Sequence, residues 1–490
     1  MRQRGGQTIG RRVDPEVGVE RIGVAGAGTM GAGIAQLACL GGFVTVVHDP
    51  SADALAAAEE RIRRDLLKGA ERGRWSLSDA EAASSRLRVA RDLSGLAGCE
   101  LVIEAAPEEL EVKRELLDRL AETCGPETVL STNTSSLPVA AIAAEIDAPE
   151  RICGMHFFNP PALMELVEIV AGEATSDATL ATATEVAERL GRTPIRSADV
   201  AGFIANRCGR PYTLEALRLV GERIATPAAV DRIIRLGGGY RMGPFEVMDL
   251  VGIDVNLSVS RSFYEQSGGE ERWRPHPLQA RLVTEGRLGR KTGHGWYAYD
   301  DGPHRPDDPE PPDADPDLEP PKDPIAPLVV AAGDARAHPL ERGSLETIAR
   351  DDPDAVGYVA LPTLGDARLV ELARGPATSD GAAAAAEAYF RGLGKHVEWV
   401  ADTPGLVLGR IVAQLVNEAC FAAGERVGSP DDIDLALRLG FNHPRGPFEW
   451  GEAIGPERVL AIVEALGREL PGDRYAPASL LRRWTGDRSA

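Results

Sequence analysis

The feature that most constrains this chain is an internal repeat at a constant offset of 203 residues. Residues 167–177 return at 370–380 with seven of eleven positions identical, and the Gly-Pro-Phe-Glu run at 243–246 returns at 446–449. Self-similarity at a fixed spacing predicts two copies of one structural unit. Residues kept in both copies are therefore predicted to be architectural, and residues present only in the first copy are candidates for function.

Two chemically important positions differ between the copies. His156 is matched by Val359, and Asn206 is matched by Gly409. Valine and glycine have no side chain that transfers a proton or forms a hydrogen bond. The first copy is therefore predicted to carry a catalytic site that the second copy lacks. Glu168 is matched by Glu371, so a structural and a catalytic role both stay open for this glutamate.

The composition bounds the class of protein. The 490 residues include 54 Lys and Arg against 75 Asp and Glu, and the net charge of −21 argues against nucleic acid and membrane surfaces as partners. No apolar run reaches the roughly 20 residues of a membrane span, and residues 1–13 lack the apolar core of a signal peptide. Six cysteines lie far apart without a C-x-x-C pair, which predicts reduced core residues, no metal site and a cytoplasmic location.

The hydrophobic pattern changes along the chain. Up to Asp199, short β-branched segments alternate with helical patterns, which predicts a doubly wound, mainly parallel sheet. Beyond it the patterns are helical, and ten prolines between Pro303 and Pro327 predict a semi-rigid linker. The predicted segments are a disordered tail at 1–20, a sheet domain at 21–199, a helical domain at 200–300, the linker at 301–327, a partial sheet-domain remnant at 328–400 and a second helical domain at 401–490.

Individual elements follow from the same pattern. Pro50 is predicted to end a strand because it lacks an N–H group, and Ser51 is predicted to cap the helix that follows. Strands are predicted at 22–25, 44–49, 101–104, 128–131, 151–155 and 166–170, and helices at 29–40 and from Ser51 to about Arg72.

A glycine-rich motif follows the first predicted strand and opens the first predicted helix. Glycines in this context permit a tight turn and a close approach of the backbone to a pyrophosphate, which the helix N-terminus faces. An aspartate at the end of the next strand accepts hydrogen bonds from a ribose 2′-hydroxyl and repels a 2′-phosphate, so NAD is predicted rather than NADP. The predicted cofactor-binding residues here are Gly26, Gly28, Thr29, Met30, Gly31 and Asp49.

A basic segment is unusual in this acidic chain. One interpretation is that it binds the phosphates of a long anionic substrate such as a coenzyme A thioester. The other is a solvated helix face that neighbouring Glu and Asp residues balance, and both interpretations stay open. The segment contains Arg61, Arg63, Arg64, Lys68, Arg72 and Arg74.

His156 ends a predicted strand, at the carboxyl edge of the sheet, where ligands of such folds bind. Glu168 lies twelve residues further on in the next strand and can accept a hydrogen bond from one imidazole N–H. Such a bond fixes the tautomer of a histidine and raises its basicity. The pair is therefore predicted to remove a proton from an alcohol.

Residues 21 to about 300 resemble the L-3-hydroxyacyl-CoA dehydrogenases, which include the 3-hydroxybutyryl-CoA dehydrogenases. The resemblance implies a Rossmann-type doubly wound sheet domain followed by an all-helical domain, and the second copy resembles the additional C-terminal domain of longer bacterial members. Besides the glycine-rich motif, it rests on the ordered motifs Ser131 to Ser136, His156 to Pro160, Gly202 to Arg207, Met242 to Glu246 and Gly289 to Tyr297.

The resemblance implies NAD-dependent, reversible hydride transfer at the 3-hydroxyl carbon of an acyl-CoA. It implies that His156 is the acid and base, that Glu168 orients it, and that Ser135 and Asn206 hold the substrate oxygen. An acyl-CoA contact is implied near Lys68. Further cofactor contacts are implied for Glu108, Lys113, Asn133, Ser135, Asn159 and Lys291.

Single-unit members of this family pair through their helical domains. The resemblance therefore implies that residues 401–490 pack on residues 200–300 and take the place of a partner subunit within one chain. A homodimer of the whole chain stays open beside this arrangement.

Two other functions are compatible with the sequence. The first is another NAD-linked oxidoreductase of the same architecture that acts on a sugar acid or a hydroxyacyl carrier protein. The second is a dinucleotide-binding scaffold without turnover, which the intact His156, Glu168 and Asn206 disfavour. An acyl pocket is built from scattered apolar residues, so its preferred chain length has no sequence motif.

Overall fold

The structure is a computed structural model that describes residues 18–299, 302, 304–318, 328–329 and 335–486. These residues form two compact units, which are described separately. Unit 1 contains the described residues up to Ile204 together with Val427–Gly440, and unit 2 contains those within Ala205–Arg426 and from Phe441 onward. A part of the second repeat therefore belongs to the same unit as the first sheet.

Unit 1 is built on an eight-stranded sheet with the strand order β3-β2-β1-β4-β5-β6-β7-β8. Neighbouring strands are parallel except β6 and β7, which pair antiparallel. The predicted doubly wound, mainly parallel sheet is confirmed. The strands are β1 (Arg21–Ala25), β2 (Val44–His48), β3 (Leu87–Ala90), β4 (Leu101–Glu104), β5 (Val129–Thr132), β6 (Ile152–Phe157), β7 (Leu166–Ala171) and β8 (Thr193–Ala198).

Helices pack against the sheet of unit 1 and bury its apolar side chains. Successive residues of β4 illustrate the two-residue period, because Val102 and Ile103 belong to different apolar clusters of the core. The helices of this part of the chain are α1 (Thr29–Leu40), α2 (Ala52–Glu71), α3 (Leu77–Arg86), α4 (Leu110–Thr123), α5 (Val139–Ala143) and α6 (Asp177–Arg189).

The predicted helix bounds agree well with the structure of unit 1. α1 covers the predicted residues 29–40, and the Ser51 hydroxyl caps α2 by accepting a hydrogen bond from the Ala54 N–H at 3.2 Å. Strands β3 and β8 were not predicted. β3 carries Arg88 among its four residues and β8 carries Pro194, and both lie at the edges of the sheet, where such residues are tolerated.

Unit 2 contains α-helices from both repeats and a second, five-stranded sheet with the order β13-β12-β11-β10-β9. The strands are β9 (Leu328–Val329), β10 (Arg336–Pro339), β11 (Ala355–Val359), β12 (Leu369–Arg374) and β13 (His396–Ala401). The helices of this part of the chain are α7 (Ala205–Gly221), α8 (Pro227–Leu236), α9 (Pro244–Val251), α10 (Ile253–Gln266), α11 (Pro277–Thr284), α12 (Leu345–Ile348), α13 (Asp380–Gly392), α14 (Leu408–Gly424), α15 (Pro430–Leu435, in unit 1), α16 (Pro447–Ile454), α17 (Pro456–Glu469) and α18 (Ser479–Trp484).

The internal repeat is visible in the three-dimensional structure. The bounds of α13 and α14 lie 203 residues after those of α6 and α7. Phe203 and Leu406, which precede α7 and α14, both have left-handed backbone angles, with φ of 53° and 47°. Asp199 caps α5 through two backbone N–H groups, and Asp402 caps α12 in the same way. Residues shared by the two copies therefore have shared architectural roles.

Buried ion pairs join the two repeats within unit 2, where α7 packs against α14. Arg207 of α7 donates from Nε to Glu418 of α14 at 2.9 Å, and Arg410 of α14 donates from Nε to Glu215 of α7 at 2.9 Å. Arg410 is completely enclosed and also pairs with Glu222 at 2.6 Å. The two arginines are equivalent in the repeat, and so are Glu215 and Glu418, which makes the contact reciprocal.

The repeats also exchange segments between their sheets. In unit 1, the Ala198 N–H at the end of β8 donates to the carbonyl of Val427 at 2.8 Å, and α15 packs on β8. In unit 2, the equivalent Ala401 N–H at the end of β13 donates to the carbonyl of Ile224 at 2.9 Å, and α8 packs on β13. The end of an edge strand in each sheet thus contacts a segment of the other repeat.

Parts of two segments that were predicted to be unstructured are anchored. Val19 is buried, and its carbonyl accepts a hydrogen bond from an arginine of α6 at 2.7 Å, so residues 18–20 belong to unit 1 rather than to a disordered tail. In the predicted linker, Arg305 donates to Glu246 at 2.8 Å and Asp308 pairs with an arginine of α8 at 3.0 Å. Residues 1–17, 301, 303 and 319–327 of these two predictions lie outside the described residues.

Arg410→Met removes a fully buried guanidinium and its hydrogen bond to the buried Glu215, which keeps Arg218 as its remaining charged partner. We expect this variant to lower the free energy of unfolding by about 1.5–3 kcal/mol, the range for a hydrogen bond to a charged group, measured by urea denaturation. The control is Arg391→Met, which removes an exposed pair with Glu387 and is expected to cost about 0–1 kcal/mol. Similar losses for both variants would contradict a structural role of the reciprocal ion pairs.

Candidate active site

A buried histidine–glutamate pair lies at the centre of the candidate site. Strands β6 and β7 pair antiparallel in a register that places His156 opposite Glu168. The His156 Nδ1 atom lies 2.6 Å from Glu168 Oε2, and both side chains are buried. The predicted pairing of these two residues is therefore present in the structure, and it leaves Nε2 as the ring nitrogen that can exchange a proton with a substrate.

Glu168 also has a structural contact, because its Oε1 atom accepts a hydrogen bond from the backbone N–H of Ile204 at 2.9 Å. In the second repeat, Glu371 accepts from the N–H groups of Val407 and Leu408 at 2.7 and 3.0 Å. Burial raises the pKa of Glu371 to about 8. The two interpretations of Glu168 are thus compatible: it binds the backbone ahead of α7 and orients His156 at the same time.

Aromatic rings and a polar anchor fix the position of His156. The rings of Phe158 and Phe203 lie 4.5 and 5.7 Å from the imidazole, centroid to centroid. The side-chain Oδ1 of Asn133 accepts a hydrogen bond from the N–H of Phe157 at 3.0 Å. Asn133, predicted as a cofactor residue, therefore binds the strand that carries the histidine.

The glycine-rich loop has the geometry of a dinucleotide cradle. Gly26 has φ of +118°, and a Cβ atom there would lie 2.5 Å from the carbonyl oxygen of Ala105. A Cβ on Gly31 would lie 1.8 Å from the Gly26 carbonyl oxygen, so both glycines are required by the fold. A Cβ on Gly28 meets nothing within 4 Å. The fold therefore leaves open space beside Gly28, at the N-terminus of α1, where the glycine-rich motif predicts a pyrophosphate.

The remaining residues of this motif contact the loop or the core. Asp49 accepts a hydrogen bond from the Ala27 N–H at 2.9 Å, so it fastens the loop and retains acceptor capacity for ribose hydroxyls. Thr29 is the first residue of α1, and its hydroxyl accepts a hydrogen bond from Arg61 at 3.4 Å. Met30 packs against the apolar core of unit 1.

The Glu108 carboxylate accepts several hydrogen bonds from the residues that follow β5. Its Oε1 atom accepts hydrogen bonds from the Ser135 N–H at 2.9 Å, the Ser136 N–H at 3.1 Å and the Thr134 hydroxyl at 2.7 Å. Burial alone disfavours the charged form of Glu108, but the Lys113 ammonium and these donors outweigh it and lower its pKa. Ser135 and Glu108, both predicted site residues, are thus brought together as one hydrogen-bonded group.

Lys113 is enclosed beneath this group. Its side chain is fully buried, and Nζ lies within 3.3 Å of both carboxylate oxygens of Glu104 and the carbonyls of Ala106 and Asn133. An ammonium group has three N–H donors, so these acceptors use its donor capacity. Lys113 therefore supports the segments that carry Glu108 and Asn133, and its cofactor contact stays a prediction from the resemblance.

Glu104 is a site-supporting residue that sequence reasoning missed. It ends β4, is fully buried and accepts hydrogen bonds from Lys113, from the Thr132 hydroxyl at 2.6 Å and from the Ala106 N–H at its Oε1 atom. Burial raises its pKa, opposed by the Lys113 ammonium. The signal that could have found it is a glutamate at the end of an otherwise apolar strand.

Each of the two interpretations of the basic segment applies to some of its residues. Arg63 and Arg64 form ion pairs with Glu59 and Asp65 on the helix surface, as a solvated face requires. The other four basic residues line a cavity of about 290 Å³ in unit 1, together with the predicted cofactor residue Asn159. These four residues are Arg61, Lys68, Arg72 and Arg74.

Two predicted site residues belong to unit 2. Asn206 lies in the first turn of α7. Lys291 forms an exposed ion pair with Asp254 of α10, with Nζ 2.6 Å from Oδ1. The cofactor role of Lys291 and the substrate role of Asn206 stay predictions from the resemblance.

The described residues include neither a metal-binding cluster nor a membrane-spanning helix. No group of three or more His, Cys, Asp and Glu side chains could hold a metal ion in the part of the chain that the structure describes. Among the same residues, no helix has both the length and the apolar character to cross a membrane. All six cysteines are buried and free.

Comparison with known protein families decides the assignment. The model of the 3-hydroxyacyl-CoA dehydrogenase NAD binding domain matches residues 21–200, and the model of the 3-hydroxyacyl-CoA dehydrogenase C-terminal domain matches residues 202–299 and again 405–487. The chain belongs to the 3-hydroxyacyl-CoA dehydrogenase family. The second match of the C-terminal-domain model also confirms that the helical domain is duplicated.

Individual relatives agree with this family. The 3-hydroxyadipyl-CoA dehydrogenase of Escherichia coli is 39% identical over 95% of this chain and 98% of the relative. The probable 3-hydroxybutyryl-CoA dehydrogenase of Deinococcus radiodurans is 41% identical over 57% of this chain and 100% of the relative. A crystal structure of 3-hydroxybutyryl-CoA dehydrogenase from Escherichia coli superposes with a TM-score of 0.90 and 37% identity, covering 96% of this chain and 98% of that one. The chain is thus an NAD-dependent hydroxyacyl-CoA dehydrogenase.

A substitution at Gly28 can test cofactor binding without affecting folding, because the fold leaves space for a Cβ atom at this position. We expect Gly28→Ala to retain the wild-type Tm and to raise the Kd of NADH about 10- to 100-fold, since a methyl group forced into a filled contact costs about 1–3 kcal/mol. Fluorescence titration with NADH measures the affinity. The control is Gly125→Ala, in the same unit, where the nearest atom to a Cβ is 3.8 Å away. Unchanged NADH affinity in Gly28→Ala would refute the cradle.

Proposed function

We propose that the chain oxidises a 3-hydroxyacyl-CoA reversibly at C3, with His156 as the acid and base. The observation that carries this proposal is the buried pair of His156 Nδ1 and Glu168 Oε2 at 2.6 Å. Glu168 accepts the Nδ1 hydrogen, so the Nε2 lone pair is available to the substrate hydroxyl. In the oxidation direction Nε2 takes the hydroxyl proton, and in the reduction direction the imidazolium returns it.

The residues around the cofactor fit the same reaction. NAD, when bound, supplies the acceptor for the hydride that leaves C3. Gly28 leaves room for the pyrophosphate, and Asp49 retains acceptors for a ribose. Ser135 and Asn206 donate hydrogen bonds to the reacting oxygen or the thioester, where negative charge develops. Glu108 holds the Ser135 N–H and so fixes the turn that carries this serine.

The coenzyme A part of the substrate is proposed to bind at the basic cavity of unit 1. Arg61, Lys68, Arg72 and Arg74 line it, and their charges suit the phosphates of coenzyme A. A sugar acid offers no such phosphates, so this cavity favours a CoA thioester. The relatives act by name on 3-hydroxyadipyl-CoA and 3-hydroxybutyryl-CoA, and we include both the dicarboxylic and the simple acyl class in the proposed range.

The second repeat is proposed to replace a partner subunit. Its support is the reciprocal packing in unit 2, where Arg207 pairs with Glu418 and Arg410 with Glu215. Contacts between residue i of one copy and residue j of the other, repeated as j with i, are typical of two-fold interfaces. On this basis a homodimer is not required for folding. A cytoplasmic location is part of the same proposal and is supported by the six free cysteines.

The reaction is tested by the absorbance of NADH after mixing with acetoacetyl-CoA. We expect oxidation of NADH in preference to NADPH, a loss of about 100- to 10,000-fold in kcat for His156→Gln, and a loss of about 100- to 1000-fold for Asn206→Ala. The control is His396→Gln, a buried histidine of the second sheet, which should turn over at the wild-type rate. Equal rates for His156→Gln and the wild type would exclude His156 as the base.

Truncation tests the role of the second repeat. Deleting residues 301–490 removes the glutamates that pair with Arg207 and exposes the apolar surface of α7. We expect the truncated protein to self-associate or aggregate, as measured by size-exclusion chromatography with light scattering. The full-length chain at the same concentration is the reference. A soluble, fully active truncated monomer would refute the proposed replacement of a partner subunit.

A further inference from the structure

One buried arginine in the described part of the chain has no polar partner for its guanidinium. Arg210 in α7 is only 6% exposed, and its Nε atom forms no hydrogen bond. The other buried arginines are all compensated among the described residues. Arg151 donates to backbone carbonyls, and Arg207, Arg218, Arg235 and Arg410 pair with carboxylates.

The surroundings of Arg210 hold the guanidinium without neutralising it. Its terminal carbon lies 5.2 Å from the centre of the Phe263 ring, a cation–π contact that positions the group but supplies no acceptor. Burial lowers the pKa of Arg210 to about 10, so the side chain stays protonated at neutral pH. A buried, ionised group without a partner costs free energy in the unliganded protein. A residue with this cost and no structural benefit is a candidate for binding an anion.

The internal repeat supports a functional role for Arg210. The equivalent position in the second copy is Ala413, whereas Arg207, one turn earlier, is kept as Arg410. Arg210 thus follows the pattern of His156 and Asn206, which are also absent from the second copy. The scaffold of the helix therefore does not need an arginine at this position.

Arg210 lies on the same face of α7 as the proposed substrate residue. Asn206 and Arg210 are four residues apart, which places their Cα atoms about 6 Å apart along the helix and their side chains on one face. In a six-carbon acyl chain, three C–C bonds of about 1.5 Å separate C3 from C6, a span of roughly 4 Å. A carboxylate at C6 is therefore within the reach of a long arginine side chain when Asn206 holds the oxygen on C3.

We propose that Arg210 binds a carboxylate at the far end of the acyl chain, and that the preferred substrates are CoA thioesters of 3-hydroxy dicarboxylic acids. This inference rests on the proposed function, because it assumes that Asn206 holds the substrate oxygen. A guanidinium is opposite in charge to a carboxylate, and its planar group can form two parallel, bidentate hydrogen bonds with the two carboxylate oxygens. The phosphates of coenzyme A are anions that a guanidinium can also bind. The test therefore distinguishes a carboxylate on the acyl chain from a phosphate of coenzyme A as the group that Arg210 binds.

The test compares two thioesters that differ only at the end of the acyl chain. Both are six-carbon 3-hydroxyacyl-CoA molecules, and one ends in a carboxylate while the other ends in a methyl group. Formation of NADH gives kcat/KM for each. We expect the wild type to favour the carboxylate-ended thioester, and Arg210→Met to lower the ratio of the two kcat/KM values about 10- to 100-fold, the value of a hydrogen bond to a charged group.

Matched variants assign the effect to Arg210. Arg210→Lys keeps the positive charge but cannot form bidentate hydrogen bonds, so it should give a ratio of the two kcat/KM values between those of the wild type and Arg210→Met. Arg281→Met removes a positive charge from the 63% exposed side chain of an α11 arginine and should leave the ratio at the wild-type value. Equal losses on both thioesters in Arg210→Met would show a phosphate contact or a structural role, and an unchanged ratio would show no contact. Either result overturns the proposal.

A second measurement does not depend on turnover. Arg210→Met replaces an uncompensated buried charge by an apolar side chain of similar length, so we expect a higher Tm for the ligand-free variant than for the wild type. A lower Tm would show that Arg210 stabilises the fold and would overturn the proposal. A wild-type protein that oxidises neither thioester would refute the proposed function itself. One that oxidises only the methyl-ended thioester would refute the role of Arg210 alone.

Discussion

Two buried arginines determine how the helical repeats of unit 2 pack. Arg207 and Arg410 are enclosed, and each meets a glutamate that the other repeat supplies. Each of these guanidinium groups is neutralised by a carboxylate of the other repeat, so neither repeat alone supplies both charges of the pairs. Apolar side chains of α7 and α14 also pack in one core cluster. Apolar contacts are not directional, whereas the ion pairs specify one register, in which Arg207 meets Glu418 and Arg410 meets Glu215.

The sequence predicted the architecture of this chain better than its chemistry. The repeat, the bounds of α1 and the pairing of His156 with Glu168 follow from local pattern and spacing, and all three are found in the structure. Glu104 was missed because its role depends on its contact with Lys113. That contact is made by the fold and has no motif in the sequence. The assignment of residues 427–440 to unit 1 was also missed, since no local pattern records which sheet a distant helix covers.

The comparison of Glu168 with Glu371 separates the structural role of the glutamate from its pairing with a histidine. Both carboxylates accept backbone hydrogen bonds ahead of a long helix, although the second repeat has Val359 at the position of the histidine. Without an imidazole partner, the pKa of Glu371 rises to about 8 through burial. A protonated carboxyl group is less costly to bury than an ionised one. The scaffold could therefore lose the base and keep the glutamate.

The exchange of segments between the repeats affects how the chain is made. Strand β8 forms an edge of the first sheet, and the backbone that covers its end comes from Val427, far along the chain. At a synthesis rate of about 5–20 residues per second, the contact at the end of β8 can form only roughly 10–50 seconds after β8 itself has been made. An open strand edge is a template for pairing with other chains. Until the second repeat has been made, the end of β8 in the nascent protein is thus exposed to aggregation or chaperone binding.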